Sequence, residues 1–137
     1  MSESTSVIPP GVYPYLTVKG GAEAIDFYTR AFGAVEEFRN TADDGKRIMH
    51  ARIRINGQAI LLSDDFPEYR GGGDTPPPQG VTIHLEVTDA DAWWDRAVKA
   101  GAEITMPLAD QFWGDRYGQL RDPFGHAWSI GAPVATA

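Results

Sequence analysis

The sequence predicts an α+β protein built from two βαβββ modules, and three observations predict it. A run of three glycines and then three prolines lies within Tyr69-Arg70-Gly71-Gly72-Gly73-Asp74-Thr75-Pro76-Pro77-Pro78-Gln79-Gly80 and divides the chain almost evenly. Such a run forbids a continuous helix or a central strand. On either side the same order of patterns recurs, with Leu16-Thr17-Val18 and Leu85-Glu86-Val87 in one register. Each half then carries a helical stretch of similar length closed by a glycine.

Taken in chain order, residues 1–10 are polar, end in Pro9-Pro10 and show no period, which reads as a flexible N-terminal tail. The first module is expected over 11–68, the linker over 69–80, the second module over 81–132 and a short tail over 133–137, all within one structural domain. Val12–Val18 and Val81–Val87 read as strands. Ala22 to Phe32 and Ala90 to Ala100 read as helices, with Gly33 and Gly101 where a left-handed C-cap belongs. Thr88-x-x-Asp91 resembles a capping box at the second helix. Ile25, Tyr28 and Phe32 share one helical stripe, as do Trp94, Ala97, Val98 and Gly101, so both stripes should face a sheet. After each helix come a short strand, a loop and a hairpin. Asn56-Gly57 is a two-residue hairpin signal that pairs Ile55 with Gln58, Arg52 with Leu61 and Ala51 with Leu62. The second hairpin, turning at Asp122-Pro123-Phe124-Gly125, pairs Arg121 with Ala127 and Gln119 with Ser129.

Composition narrows the function classes. The 137 residues are 42% hydrophobic and 23% charged, which is ordinary for a soluble globular protein. Twelve Lys and Arg against 19 Asp and Glu give a net charge of −7, the wrong sign for nucleic acid or an anionic membrane. With no cysteine there is no disulfide, thiolate metal site or cysteine nucleophile. The first ten residues lack the basic and apolar regions of a signal peptide, so a cytoplasmic location is expected.

Strand alternation sorts side chains between two faces. Leu16, Val18, Ala51, Ile53, Ile60, Leu62, Leu85, Val87, Leu120 and Trp128 fall on the helix-covered side. The opposite side collects Tyr13, Tyr15, His50, Arg52, Leu61, Ser63, Thr82, His84, Tyr117, Gln119, Arg121 and Ser129. Tyrosines, histidines and arginines together are what a ligand cavity offers. Arg52 and Arg121 are either surface charges or a clamp for an anionic group; this face offers no carboxylate except Asp65 at its rim, so if they are buried a ligand anion would be the partner. Phe112 and Trp113, in a loop beside Gly114, are expected to lid the ligand or fill a dimer seam.

The paired pattern, Ala24-Ile25-Asp26-Phe27-Tyr28-Thr29-Arg30-Ala31-Phe32-Gly33-Ala34 and Asp122-Pro123-Phe124-Gly125-His126 resemble the vicinal oxygen chelate superfamily of glyoxalases, bleomycin-resistance proteins and extradiol dioxygenases. His50-Ala51, Leu62-Ser63-Asp64 and Gln111-Phe112-Trp113-Gly114-Asp115-Arg116-Tyr117-Gly118 are similar to its PhnB-like group. The resemblance spans about residues 11–132 and implies a curved mixed sheet around a central cavity, and a homodimer. Enzymes of the superfamily hold a divalent metal with His, Glu or Gln at four positions, which map here onto Tyr13, Leu61, Thr82 and Ser129. That set lacks the imidazoles and carboxylates such an ion needs, so neither metal nor other cofactor is expected. His50, His84 and Asp65 remain as an unusual alternative set.

The expected function is a glyoxalase/bleomycin-resistance-like protein that binds a small molecule through Tyr13, Tyr15, His50, Arg52, His84, Trp113, Tyr117 and Arg121. The alternative is a superfamily enzyme, a lyase, isomerase or dioxygenase, with displaced metal ligands or cofactor-free chemistry. His84 is then the candidate catalytic base.

Overall fold

The computed structural model describes residues 7–134. Strands and helices run in the order β1 (Tyr15–Val18), α1 (Gly21–Phe32), β2 (Val35–Thr41), β3 (Ile48–Ile55), β4 (Gln58–Asp64), β5 (Thr82–Glu86), α2 (Ala90–Ala100), β6 (Glu103–Asp110), β7 (Asp115–Arg121) and β8 (Ala127–Pro133). This is βαβββ twice, the α+β class read from the sequence. The chain forms two compact units, one reaching to Thr29 and resuming over Gly33–Pro76, the other made of Arg30–Phe32 and the chain from Pro77 onward.

In the first unit the sheet order is β1-β4-β3-β2, with β1 parallel to β4 and the other pairs antiparallel. The Asn56-Gly57 turn sets the expected register, Arg52 opposite Leu61 and Ala51 opposite Leu62. Asn56 and Gly57 both have positive φ, 51° and 83°, as a tight right-twisting hairpin turn requires. β1 starts at Tyr15, so Val12 and Tyr13 precede the strand instead of opening it. Asp64, 6% exposed, ends β4 and holds the start of α1 in place of a cap from Gly20. Its carboxylate accepts the N–H groups of Gly20 at 2.8 Å, Gly21 at 3.0 Å and Ile48 at 2.7 Å. The expected α1 stripe is buried, with Ile25, Tyr28 and Phe32 no more than 3% exposed.

The second unit repeats the arrangement as β5-β8-β7-β6. Its hairpin pairs Arg121 with Ala127 and Gln119 with Ser129, as the sequence indicates. Asp122 fixes that turn by accepting from the N–H groups of Phe124 and His126 and from Trp128 Nε1 at 2.8 Å. The N-cap of α2 is Asp89, which accepts from Ala92 N–H at 3.0 Å, so the capping-box reading of Thr88 is corrected by one residue. Trp94 of α2 lies so close over Gly118 that an added Cβ there would sit 2.5 Å from its ring. Helix and sheet meet at that glycine because a bare backbone lets the indole approach.

After β4 the chain makes a single 3-10 turn, Pro67–Tyr69, and enters the glycine run. Arg70 organises that run: its guanidinium reaches both Asp65 oxygens, at 3.0 and 2.7 Å, and the carbonyls of Gly72, Gly73 and Asp74. Among the described residues no helix is long and apolar enough to cross a membrane. Of the expected tails, residues 1–6 and 135–137 lie outside the described part.

Candidate functional site

The helix-free face of the first sheet is built on β1, β3 and β4, where alternation places Tyr15, His50, Arg52, Leu61 and Ser63 together. The Tyr15 hydroxyl lies 2.7 Å from His50 Nδ1, and the two rings are 5.5 Å apart between centroids. Phe38 closes the other side of the imidazole at 5.2 Å and carries the Arg52 guanidinium 5.1 Å from its ring centre. Burial, followed by the charge of Arg52, holds His50 below its ordinary pKa, so its imidazole is neutral at neutral pH.

Arg52 corrects an expectation. Its side chain is only 3% exposed, and its partner is a protein carboxylate: Nε donates to Glu37 Oε1 at 2.7 Å, with no ligand anion required. Glu37 also accepts from Arg54 Nε at 2.9 Å, and the hydrogen bond to Arg54 is the first cause of its lowered pKa. Glu37 reaches these arginines because β2 slips register between Glu36, opposite Ile53, and Phe38, opposite Arg52. A β-bulge inserts one unpaired residue and re-aims its side chain, which alternation alone does not reveal. Tyr13 lies off the strand and donates its hydroxyl to Pro9 O at 2.6 Å.

In the second unit the corresponding face carries His84 and Glu86 on β5, Tyr117 and Gln119 on β7 and Ser129 on β8. His84 Nδ1 lies 2.8 Å from Ser129 Oγ, and Nε2 lies 2.9 Å from Glu86 Oε1. A carboxylate, which only accepts, faces Nε2, and a hydroxyl, which can donate, faces Nδ1, so the tautomer with its proton on Nε2 satisfies both contacts. His84 thus bonds Ser129 within its own sheet, while Tyr15 bonds His50. Glu86 was missed as a site residue, although its position two residues beyond His84 puts it on the same face.

Aromatic rings continue from His84 across this face. Successive centroids from His84 through Tyr117, Trp113 and Phe112 are 5.9, 5.8 and 5.0 Å apart. Gly131 makes room for them, since a Cβ there would come within 2.9 Å of His84 Cε1 and 3.4 Å of Tyr117 Cδ1. Trp113 is 48% exposed and Phe112 97% exposed. Arg121 and Thr82 stand exposed at their strand ends.

The two faces use equivalent register positions with their residues exchanged. Tyr15 sits opposite Leu61 and His84 opposite Ser129, while His50 and Tyr117 lie two residues before Arg52 and Gln119. Tyrosine followed by histidine in one module becomes histidine followed by tyrosine in the other.

The family metal positions do not fit a divalent ion. Leu61 has no donor atom, Tyr13 is bonded to a backbone carbonyl, and Ser129 is committed to His84. Among the described residues no three His, Asp or Glu side chains form a metal-sized group. Asp65, the third member of the alternative set, is taken by Arg70 and Thr75, and its bond to Arg70 is the first cause of a pKa of about 2.

A duplicated βαβββ unit with these motifs defines a class, and the chain belongs to it: the Glyoxalase/Bleomycin resistance protein/Dioxygenase superfamily matches residues 12–130. Within that class it is 52% identical over 131 residues to the uncharacterized protein Rv0887c of Mycobacterium tuberculosis, covering 93% of this chain and 76% of that one. Protein PA1353 from Pseudomonas aeruginosa has a similar structure, with a TM-score of 0.73 and 29% identity over 91% of this chain and 98% of that one. A PhnB protein from Bacillus cereus shares the fold with a TM-score of 0.70 at 22% identity, covering 90% of this chain and 99% of that one.

Proposed function

We propose that this protein binds a small molecule on the helix-free faces of its sheets, without the divalent metal used by enzymes of its superfamily. The observation that carries the reading is the ring series Phe112, Trp113, Tyr117 and His84, which offers partly exposed aromatic surface ending at the Glu86 carboxylate. Flat apolar rings bounded by a few fixed polar groups suit an aromatic ligand bearing a hydrogen-bond donor.

A fluorescence screen of aromatic small molecules tests this. Trp94 and Trp128, 8% and 1% exposed, should respond little, whereas Trp113→Phe should remove most of the ligand-induced change. A ligand whose signal and affinity are indifferent to both Trp113→Phe and His84→Ala would place the site elsewhere. In the same preparation, kept away from metal-affinity resin, elemental analysis should find far less than one equivalent of transition metal per chain.

The enzyme reading, a lyase, isomerase or dioxygenase with displaced ligands or cofactor-free chemistry, draws support from the carboxylate that orients His84. Both ring nitrogens are engaged, so His84 Nδ1 must release Ser129 before it can act as a base. Turnover of any screened ligand separates this reading from simple binding.

We also propose a homodimer, since self-association would cover aromatic surface such as Phe112, 97% exposed. Sedimentation at micromolar concentration should then give twice the 15.0 kDa of one chain. A stable monomer refutes it.

A further inference from the structure

We propose that the outward face of α2, with the end of α1, forms a binding site for the dianionic phosphoryl group of a small molecule. A cavity of about 460 Å³ lies there, lined by Arg30 of α1 and by Ala92, Asp95, Arg96, Lys99 and Ala100 of α2. All six residues belong to the second unit. The α2 residues recur at helical spacing and so form one stripe, while Trp94 and Ala97 of the same helix are buried. The site is separate from the ring series around Trp113 and does not depend on ligand binding there.

Charge selects the ligand. Three cations and one carboxylate line the cavity, a local excess of two positive charges in a chain whose net charge is −7. The helix ends account for part of this excess. Arg30 and Lys99 stand in the last turns of their helices, where unpaired carbonyls favour a positive charge. Arg96 lies before the last turn of α2, and at three residues from Lys99 it faces a like charge. Asp95 precedes Lys99 by four residues, the spacing at which an acid and a base support a helix. Among the described residues, however, neither of these two side chains has an ion pair or a hydrogen bond. A carboxylate ligand would bring one negative charge, whereas a phosphate ester brings close to two at neutral pH and so matches the excess.

The arginines are oriented before any ligand arrives. Arg30 Nη1 donates to Ala100 O at 3.2 Å, and Arg96 Nε donates to Arg30 O at 3.0 Å, so each guanidinium is anchored to the backbone of the other helix. A guanidinium presents its N–H groups as a planar fork that fits phosphoryl oxygens, and the Lys99 ammonium adds a point charge. Ala92 and Ala100 contribute only methyl groups to the wall, which keeps the cavity open to a ligand.

The test titrates glycerol 3-phosphate, which has no ring to stack on Trp113, into the nitrogen-15-labelled full chain at pH 7. Sodium chloride holds the ionic strength constant. Amide shifts over residues 92–100 should saturate in the millimolar range, and glycerol with sodium acetate should not reproduce them. Lys99→Gln should weaken binding about tenfold, the scale of one charged hydrogen bond partly screened by solvent. Asp95→Asn removes the one repelling charge and should tighten binding. These two variants disturb no side-chain hydrogen bond, whereas Arg96→Gln would also release the end of α1. Shifts that never saturate, or that acetate or chloride reproduces, overturn the proposal. So does saturable binding that Lys99→Gln leaves unchanged or that Asp95→Asn fails to tighten. None of these results bears on quenching of Trp113 by an aromatic ligand, so the two proposals fail separately.

Discussion

Asp64→Ala is expected to lower the unfolding free energy by about 3–4 kcal/mol, because it strands three backbone donors that bond one buried carboxylate. Gly20, Gly21 and Ile48 all direct their N–H groups at this carboxylate within 3.0 Å, and Asp64 is 6% exposed. Water admitted to the gap recovers part of each bond, which is why the loss stays below the sum of three charged hydrogen bonds. Asp64→Asn keeps one acceptor oxygen and should fall between. Urea unfolding of the three proteins, compared at equal m-value, checks the series. A loss under about 1 kcal/mol in Asp64→Ala would mean that α1 is held by its buried stripe alone.

Glu37→Ala is expected to cost about 2–3 kcal/mol at pH 7, since removing one partner of a buried ion pair leaves the other charge uncompensated. The full penalty of such a loss is larger, but Glu37 is 22% exposed and its second partner, Arg54, is 39% exposed, so solvent screens part of it. The dependence on pH has a definite sign. Glu37 is held below its ordinary 4.5 by hydrogen bonding, first to Arg54, so its contribution is complete above 4.5 and fades as pH falls through the lower folded value. Wild type and Glu37→Ala should therefore differ at pH 7 and converge in acid. Parallel unfolding curves at both pH values measure this, and a pH-independent gap would remove the ion pair from the explanation.

Much of the architecture was legible because its determinants are local. Asn56-Gly57 sets a hairpin register by turn geometry, and once that register is fixed, period-two alternation places Ala51, Ile53, Ile60 and Leu62 in the core. Gly33 and Gly101 end their helices in the left-handed region for an equally local reason. The partner of Arg52 was hidden because a bulge in β2 breaks the alternation on which face assignment depends. Glu86 was within reach of the same alternation that selected His84. The tyrosine and histidine exchange becomes legible when the two modules are aligned by strand register, which puts Tyr15 with His84 and His50 with Tyr117. What alternation cannot supply is the side-chain pairing, which depends on rotamers and on neighbours from other strands. His50 therefore emerges bonded to Tyr15, and His84 to Ser129 and Glu86.

The arginine at the head of the glycine run changes what that run costs. Gly71, Gly72 and Gly73 all hold positive φ, between 85° and 93°, where glycine is at ease but where a free chain would spend only part of its time. Fixing each such backbone forfeits about 1–2 kcal/mol of conformational entropy. Arg70 offsets part of that loss with bonds to three successive carbonyls and to Asp65. A stretch whose composition suggests a freely jointed tether is thus narrowed to few shapes during folding. That ordering cost is borne once, with the fold, and is not charged again to a later binding event.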